Sequence, residues 1–140
     1  MKTPLLVVLD TNVLISSFLT PGNSRKIVDL AARRKILVFS SSQLEEELRR
    51  TLKDKLKYET DELSQALITY KEIVHKFVYP KKKLKVITQD ETDNRIIEAA
   101  IEGRVGYMVT GDKHLLNLGK YKDITILNPA DFVSRYREKI

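Results

Sequence analysis

The chain has 140 residues, no cysteine, and 25 Lys and Arg against 19 Asp and Glu, for a formal net charge of +6 at pH 7. That length suits a single domain, 1–140, whose core needs no disulfide, and the missing thiols leave oxygen and imidazole as the ligands open to a metal. The N-terminal apolar run is too short to span a bilayer and has no signal-peptide pattern, which predicts a cytoplasmic protein without a membrane partner, while the basic balance favours a polyanion, nucleic acid first.

Leu5-Leu6-Val7-Val8-Leu9 follows Pro4 and runs into Asp10-Thr11-Asn12. Five apolar residues in succession predict a strand buried on both faces, as in a parallel sheet covered by helices. Asp10 then stands at the carboxyl end of the strand, and Asn12 is suited to cap a helix beginning at Val13. That apolar helix stops at Thr20-Pro21-Gly22. Asn23 or Ser24 can cap a second helix, carrying Ile27, Val28, Leu30 and Ala31 at helical spacing before the basic run Arg33-Arg34-Lys35.

Ile36-Leu37-Val38-Phe39 predicts a second strand, followed by serines and a helix whose first turn is acidic. Leu44, Leu48 and Leu52 form its buried stripe. A helix is expected from Asp61 to His75, capped by Thr60 or Asp61, and Leu84–Ile87 reads as extended after the lysines 81–83. Asp93 to Ile101 predicts a helix ended by Gly103, Tyr107-Met108-Val109 a buried strand running into Thr110-Gly111-Asp112, and His114 to Leu116 a helical turn. Ile124–Leu127 is the last strand, with Pro129 opening a closing helix. Strands alternating with helices predict an α/β fold: three layers, α/β/α, around a parallel sheet of about four to five short strands.

Acids recur at one kind of place: Asp10 and Asp112 after strands, Glu45 to Glu47 and Asp93 at helix starts. In a parallel sheet these junctions share one edge, so the carboxylates converge and repel one another. A divalent cation removes that repulsion, and an oxygen-only ligand set suits Mg²⁺ or Mn²⁺, which can activate water against a phosphodiester. Helical phase turns Glu46 away from the leucine stripe and leaves Glu45 and Glu47 flanking it.

With these residues in place the sequence resembles the PIN-domain nucleases, in particular the single-domain branch that supplies toxins of toxin-antitoxin pairs. The resemblance is carried by Leu9-Asp10-Thr11-Asn12-Val13-Leu14-Ile15, by Ser42 through Glu47-Leu48 with Leu52, by Asp90 through Asp93-Asn94, by Val109-Thr110-Gly111-Asp112 with Leu115-Leu116, and by Ile126-Leu127-Asn128-Pro129 with Phe132. It implies a metal-dependent ribonuclease site made of Asp10, Glu47, Asp93 and Asp112, with Asn12 and Thr110 in support. The family's pattern of Glu, Leu, two residues and Leu selects Glu47, and its third acid falls on Asp93, leaving Asp90 and Asn94 as supporting residues. Glu91-Thr92 departs slightly from the pattern of relatives. The same resemblance implies a homodimer and a small cognate antitoxin.

Three other readings compete. A phospho-receiver domain also collects acids at the carboxyl edge of a parallel sheet, but here serines follow the second strand and Asn128 takes the place of a lysine. A haloacid-type phosphatase would need a second aspartate two residues after Asp10, where Asn12 stands. An inactive PIN scaffold binding RNA or protein ranks below catalysis because all four acids are present. Neither His75 nor His114 has a motif partner, and the tyrosines form no platform for base stacking.

Overall fold

Val7, Val8 and Leu9 of β1 (Leu5–Leu9) are buried, so their backbone groups must be met by neighbouring strands in place of water. In the computed structural model, which describes residues 3–139 with side chains as far as Arg137, β2 (Ile36–Ser41) and β4 (Tyr107–Val109) flank β1 in parallel. Residues 1, 2 and 140 of the single domain read from the sequence lie outside the described residues. Beyond β2 lies β3 (Val74–Val78); beyond β4 lie β6 (Ile124–Leu127) and then β5 (Lys120–Tyr121). The order is β3-β2-β1-β4-β6-β5, parallel except for the β5–β6 hairpin. A receiver domain places its third strand beside its first, on the side away from the second; here β3 sits on the far side of β2, which excludes that topology.

Alternation along β1 builds the layers. Val7 and Leu9 point into one core, formed with α1 (Thr11–Leu19), α2 (Asn23–Ala32), α4 (Thr60–Ile73) and α7 (Pro129–Lys139). Val8 points into the other, with α5 (Asp93–Gly103) and α6 (Lys113–Leu118). Each aliphatic side chain buried there contributes about 1.5–3 kcal/mol relative to exposure. The leucine stripe of α3 (Ser42–Arg50) and the turn that continues it is divided between them: Leu44 joins the second core, Leu48 and Leu52 the first. This helix therefore lies across the carboxyl end of the sheet, which carries Glu47 to the edge where β1 and β4 terminate.

The sheet has six strands, against the four to five expected. The helix predicted through His75 ends at Ile73, and Val74–Val78 is a strand, because pairing its backbone with β2 from Val38 to Ser41 outweighs another helical turn. Leu84–Ile87 is not a strand; its amides go to side chains of α5 instead. Two-residue β5 has too short a pattern to read. The helix starts also shift. Helix α1 begins at Thr11, so Asn12 lies in its first turn and Asp10 holds the cap position. Gly22 precedes α2 in place of the expected Asn23 or Ser24, and Glu59 with Glu62 forms a capping box on α4 in place of Thr60 or Asp61. Gly103 remains helical and Arg104 takes the left-handed cap at φ 52°. Glycine is needed at 103 for another reason: a Cβ would stand 2.7 Å from Cδ2 of Phe39.

Among the described residues, no helix is long and apolar enough to cross a membrane.

Candidate active site

The chain leaves β1 toward β2 on one side and returns through α5 to β4 on the other. The crevice beyond β1 and β4 is thus the place where an open α/β sheet binds ligands. The Asp10 amide donates to the Val109 carbonyl (2.9 Å) and the Thr110 amide to the Leu127 carbonyl (3.0 Å), extending the sheet beyond its strands. Fully buried Thr110 then joins the two junctions. Its Oγ1 donates to Asp10 Oδ2 (2.6 Å) and accepts from the Asp112 amide (3.0 Å). Asn12 Oδ1 accepts from the Gly111 amide (3.4 Å), and Asp112 Oδ1 accepts from the His114 amide (3.0 Å) at the start of α6.

Opposite this frame, α3 supplies Glu47 and the first turn of α5 supplies Asp93. Asp10, Glu47, Asp93 and Asp112, with Asn12 and Asp90, line one cavity of about 590 Å³. Glu45 lies elsewhere, in a hollow with Lys71, Phe77 and Tyr79. Exposed Glu46 stands 4.0 and 3.9 Å from Arg49 and Arg50. The two remaining supporting candidates have separate tasks. Asp90 Oδ1 accepts from the Thr92 amide (3.0 Å) and hydroxyl (2.7 Å), turning the chain into α5. Asn94, fully buried, accepts from the Val86 and Ile87 amides (2.9 and 2.8 Å) and donates to the Ile87 and Glu91 carbonyls (2.8 and 3.2 Å).

The cavity is electrostatically strained. Burial pushes the Asp10 carboxyl up despite its bond from Thr110, and nearby Asp112 adds to the rise. Glu47 is pushed up to about 7, by burial first and then by Asp10. Asp93 is likewise raised to about 7, by burial and by the close Asp112 carboxyl. Asp90 moves the other way, lowered by its bonds from Thr92. Two buried oxygens on the lining, Asp93 Oδ2 and Thr11 Oγ1, have no hydrogen-bond partner among the described residues. Such groups are costly to leave unmade, and they mark where a ligand would be taken up.

The donor chemistry, carboxylate and hydroxyl oxygen, fits a hard divalent cation. Among the described residues no group of three or more Asp, Glu, His or Cys side chains is already gathered as a ligand set. The fit is accordingly to an ion that keeps several of its waters, as Mg²⁺ does.

Sequence reasoning did not pick out Arg50, Thr51, Asp54 and Lys55, which also line the cavity. Thr51 and Asp54 follow Glu47 by four and seven residues, a spacing that could have found them. Arg33 and Arg34 of the first basic run are tied into the fold. Arg33 pairs with Asp29 (3.0 Å), and Arg34 donates to the carbonyls of Glu72 and Ile73 (3.1 and 3.3 Å), fastening α2 to the end of α4. Lys83 lines a second cavity of about 380 Å³, which shares Glu47, Arg50 and Thr92 with the first.

Comparison with known proteins places these residues in a wider set. A family model described as PIN domain matches residues 6–114. An uncharacterized protein of Methanocaldococcus jannaschii is 30% identical over 151 aligned positions, covering 99% of this chain and 96% of that one. Among solved structures, the fold is similar to a chain of VapBC2 from Rickettsia felis bound to a DNA fragment from their promoter, with a TM-score of 0.61 and 15% identity. It is also similar to a chain of FitAcB from Neisseria gonorrhoeae, with a TM-score of 0.54 and 20% identity. Each alignment covers 89% of this chain and 98% of the other.

Proposed function

Because the chain belongs to the PIN-domain family, we propose that it is a divalent-metal-dependent endoribonuclease with Asp10, Glu47, Asp93 and Asp112 as its catalytic, metal-holding residues. The observation that carries this reading is the meeting of these carboxylates in one cavity, three of them raised and one with an unpartnered buried oxygen. When bound, Mg²⁺ or Mn²⁺ supplies a water of lowered pKa and Lewis-acid stabilisation of phosphate oxygens. The remaining work belongs to the chain. Thr110 fixes one oxygen of Asp10, and Asn12 ties α1 to the loop that carries Asp112. Glu47 enters from α3, across the carboxyl end of the sheet, and Asp93 from α5 on one face of it, so a phosphodiester in the cavity would be approached from two sides. With a net charge of +6, lysines and arginines outside the acidic wall hold the RNA backbone.

We extend the proposal to a cytoplasmic toxin that works as a homodimer and is blocked by a small cognate antitoxin. The motif-level resemblance and the likeness of fold to chains of VapBC2 and FitAcB support it. The test is incubation of the full chain with single-stranded RNA in Mg²⁺ and in Mn²⁺. Cleavage that stops with a chelator and in Asp112→Asn supports the ribonuclease reading, and cleavage that survives both contradicts it.

A further inference from the structure

Between Glu47 and Lys55 the helix changes its winding. Thr51–Lys55 forms a π-helical turn, in which the Leu56 amide donates to the carbonyl of Thr51, five residues back, at 3.1 Å. Turns of this kind are rare and cluster at functional sites. Lys55 follows Glu47 by eight residues, so at about 100° per residue a regular helix would set it about 80° round from Glu47. A turn holding one more residue takes back most of that angle. Lys55 accordingly lines the same cavity as Glu47, while Lys53, in the same turn, lines a different hollow with Arg49 and Tyr58.

The acidic cavity has two cations on its wall, Arg50 and Lys55. Arg50 Nε stands 3.9 Å from Glu46. Lys55 is exposed and makes no ion pair among the described residues, although it lies within electrostatic reach of Glu47 and Asp90. A lysine held only to neutralise carboxylates would gain by closing onto one of them.

Resting on the ribonuclease reading, we infer that the π-turn presents the Lys55 ammonium to a phosphate of the RNA, making this wall a phosphate-binding subsite of the acidic cavity. The contact holds a phosphodiester against a wall that otherwise repels it. Lys53 supplies the control, since it removes the same charge from the same turn on the other side.

The experiment uses the full chain carrying Asp112→Asn, so that RNA stays intact, and a fluorescein-labelled single-stranded RNA of mixed sequence in Mg²⁺. Its affinity is followed by anisotropy across a salt series. Adding Lys55→Ala should weaken binding at 0.1 M salt by roughly threefold to tenfold and flatten the slope of log affinity against log salt by about 0.7, the loss of one single-strand phosphate contact. Lys55→Arg should restore the slope, and Lys53→Ala should leave it unchanged. An unchanged slope in Lys55→Ala, or an equal loss in Lys53→Ala, overturns the inference. Cleavage by the unsubstituted chain is measured in parallel. Its absence would overturn the ribonuclease reading, while the salt slopes would still decide the role of Lys55.

Discussion

Asp93 and Asn94 are neighbours in the first turn of α5, yet their polar atoms are satisfied in opposite degrees. Asn94 accepts two hydrogen bonds and donates two, all to the backbone of the segment that precedes the helix. Asp93, one residue earlier, lies close to the Asp112 carboxyl, its own carboxyl raised and one oxygen without a partner among the described residues. Glu98, one turn on, belongs with Asn94: it accepts from the Leu84 amide (2.7 Å) and pairs with Arg95 (3.0 Å). The difference separates a polar cluster that holds the fold from one that the fold holds open. Asn94 finds its partners within the chain, whereas Asp93 keeps one oxygen without a partner among the described residues.

The largest effect expected is on activity. Glu47→Gln or Asp112→Asn should lower RNA cleavage by about 100-fold or more, with little change in the urea midpoint, whereas Glu46→Gln should cleave near the normal rate. A normal rate in Glu47→Gln would remove the cavity from the reaction. Next comes stability. Asn94→Ala leaves the Val86 and Ile87 amides and the Ile87 carbonyl without their partner, and should cost about 3 kcal/mol in urea unfolding. Asp93→Asn should cost nothing in chelated buffer near pH 8. If both substitutions destabilise equally, the distinction between the two clusters is lost.

Smaller still is the pH dependence. Glu47 and Asp93 have folded-state values near 7, above their ordinary carboxylate values. Groups raised in this way contribute stability that is complete below their unfolded pKa near 4 and is lost as pH rises through about 7. Metal-free protein should therefore be more stable at pH 5.5 than at pH 8, on the order of 1 kcal/mol once partial exposure is discounted. Glu47→Gln combined with Asp93→Asn should remove most of that gain, and a gain that persists in the double variant would place its origin elsewhere.

How far the sequence could be read follows the same division. The continuous apolar runs of β1, β2, β4 and β6 announced a parallel sheet, and strand-end acids predict their own convergence once strands are parallel. Strand β3 was hidden because Val74 to Val78 continues a helix with no glycine or proline between them; only pairing with β2 separates them. Asn94 was visible as part of a motif, but its partners are backbone amides, which no side-chain pattern records. Lys55 was unreadable for a further reason. Its direction depends on a π-turn, and a helical wheel of constant pitch sets it about 80° round from Glu47.

The most direct measurement of the central claim, that this cavity takes up a divalent cation, is thermal unfolding across a Mn²⁺ titration at pH 8, comparing the unsubstituted chain with Asp10→Asn. Binding at a hundredfold excess over Kd adds about 2.7 kcal/mol, and roughly 3 °C per kcal/mol at this size gives a rise in Tm of roughly 8 °C. The account predicts that rise, saturable, in the unsubstituted chain and little of it in Asp10→Asn. A Tm that stays constant with Mn²⁺, or that rises equally in both proteins, would contradict it.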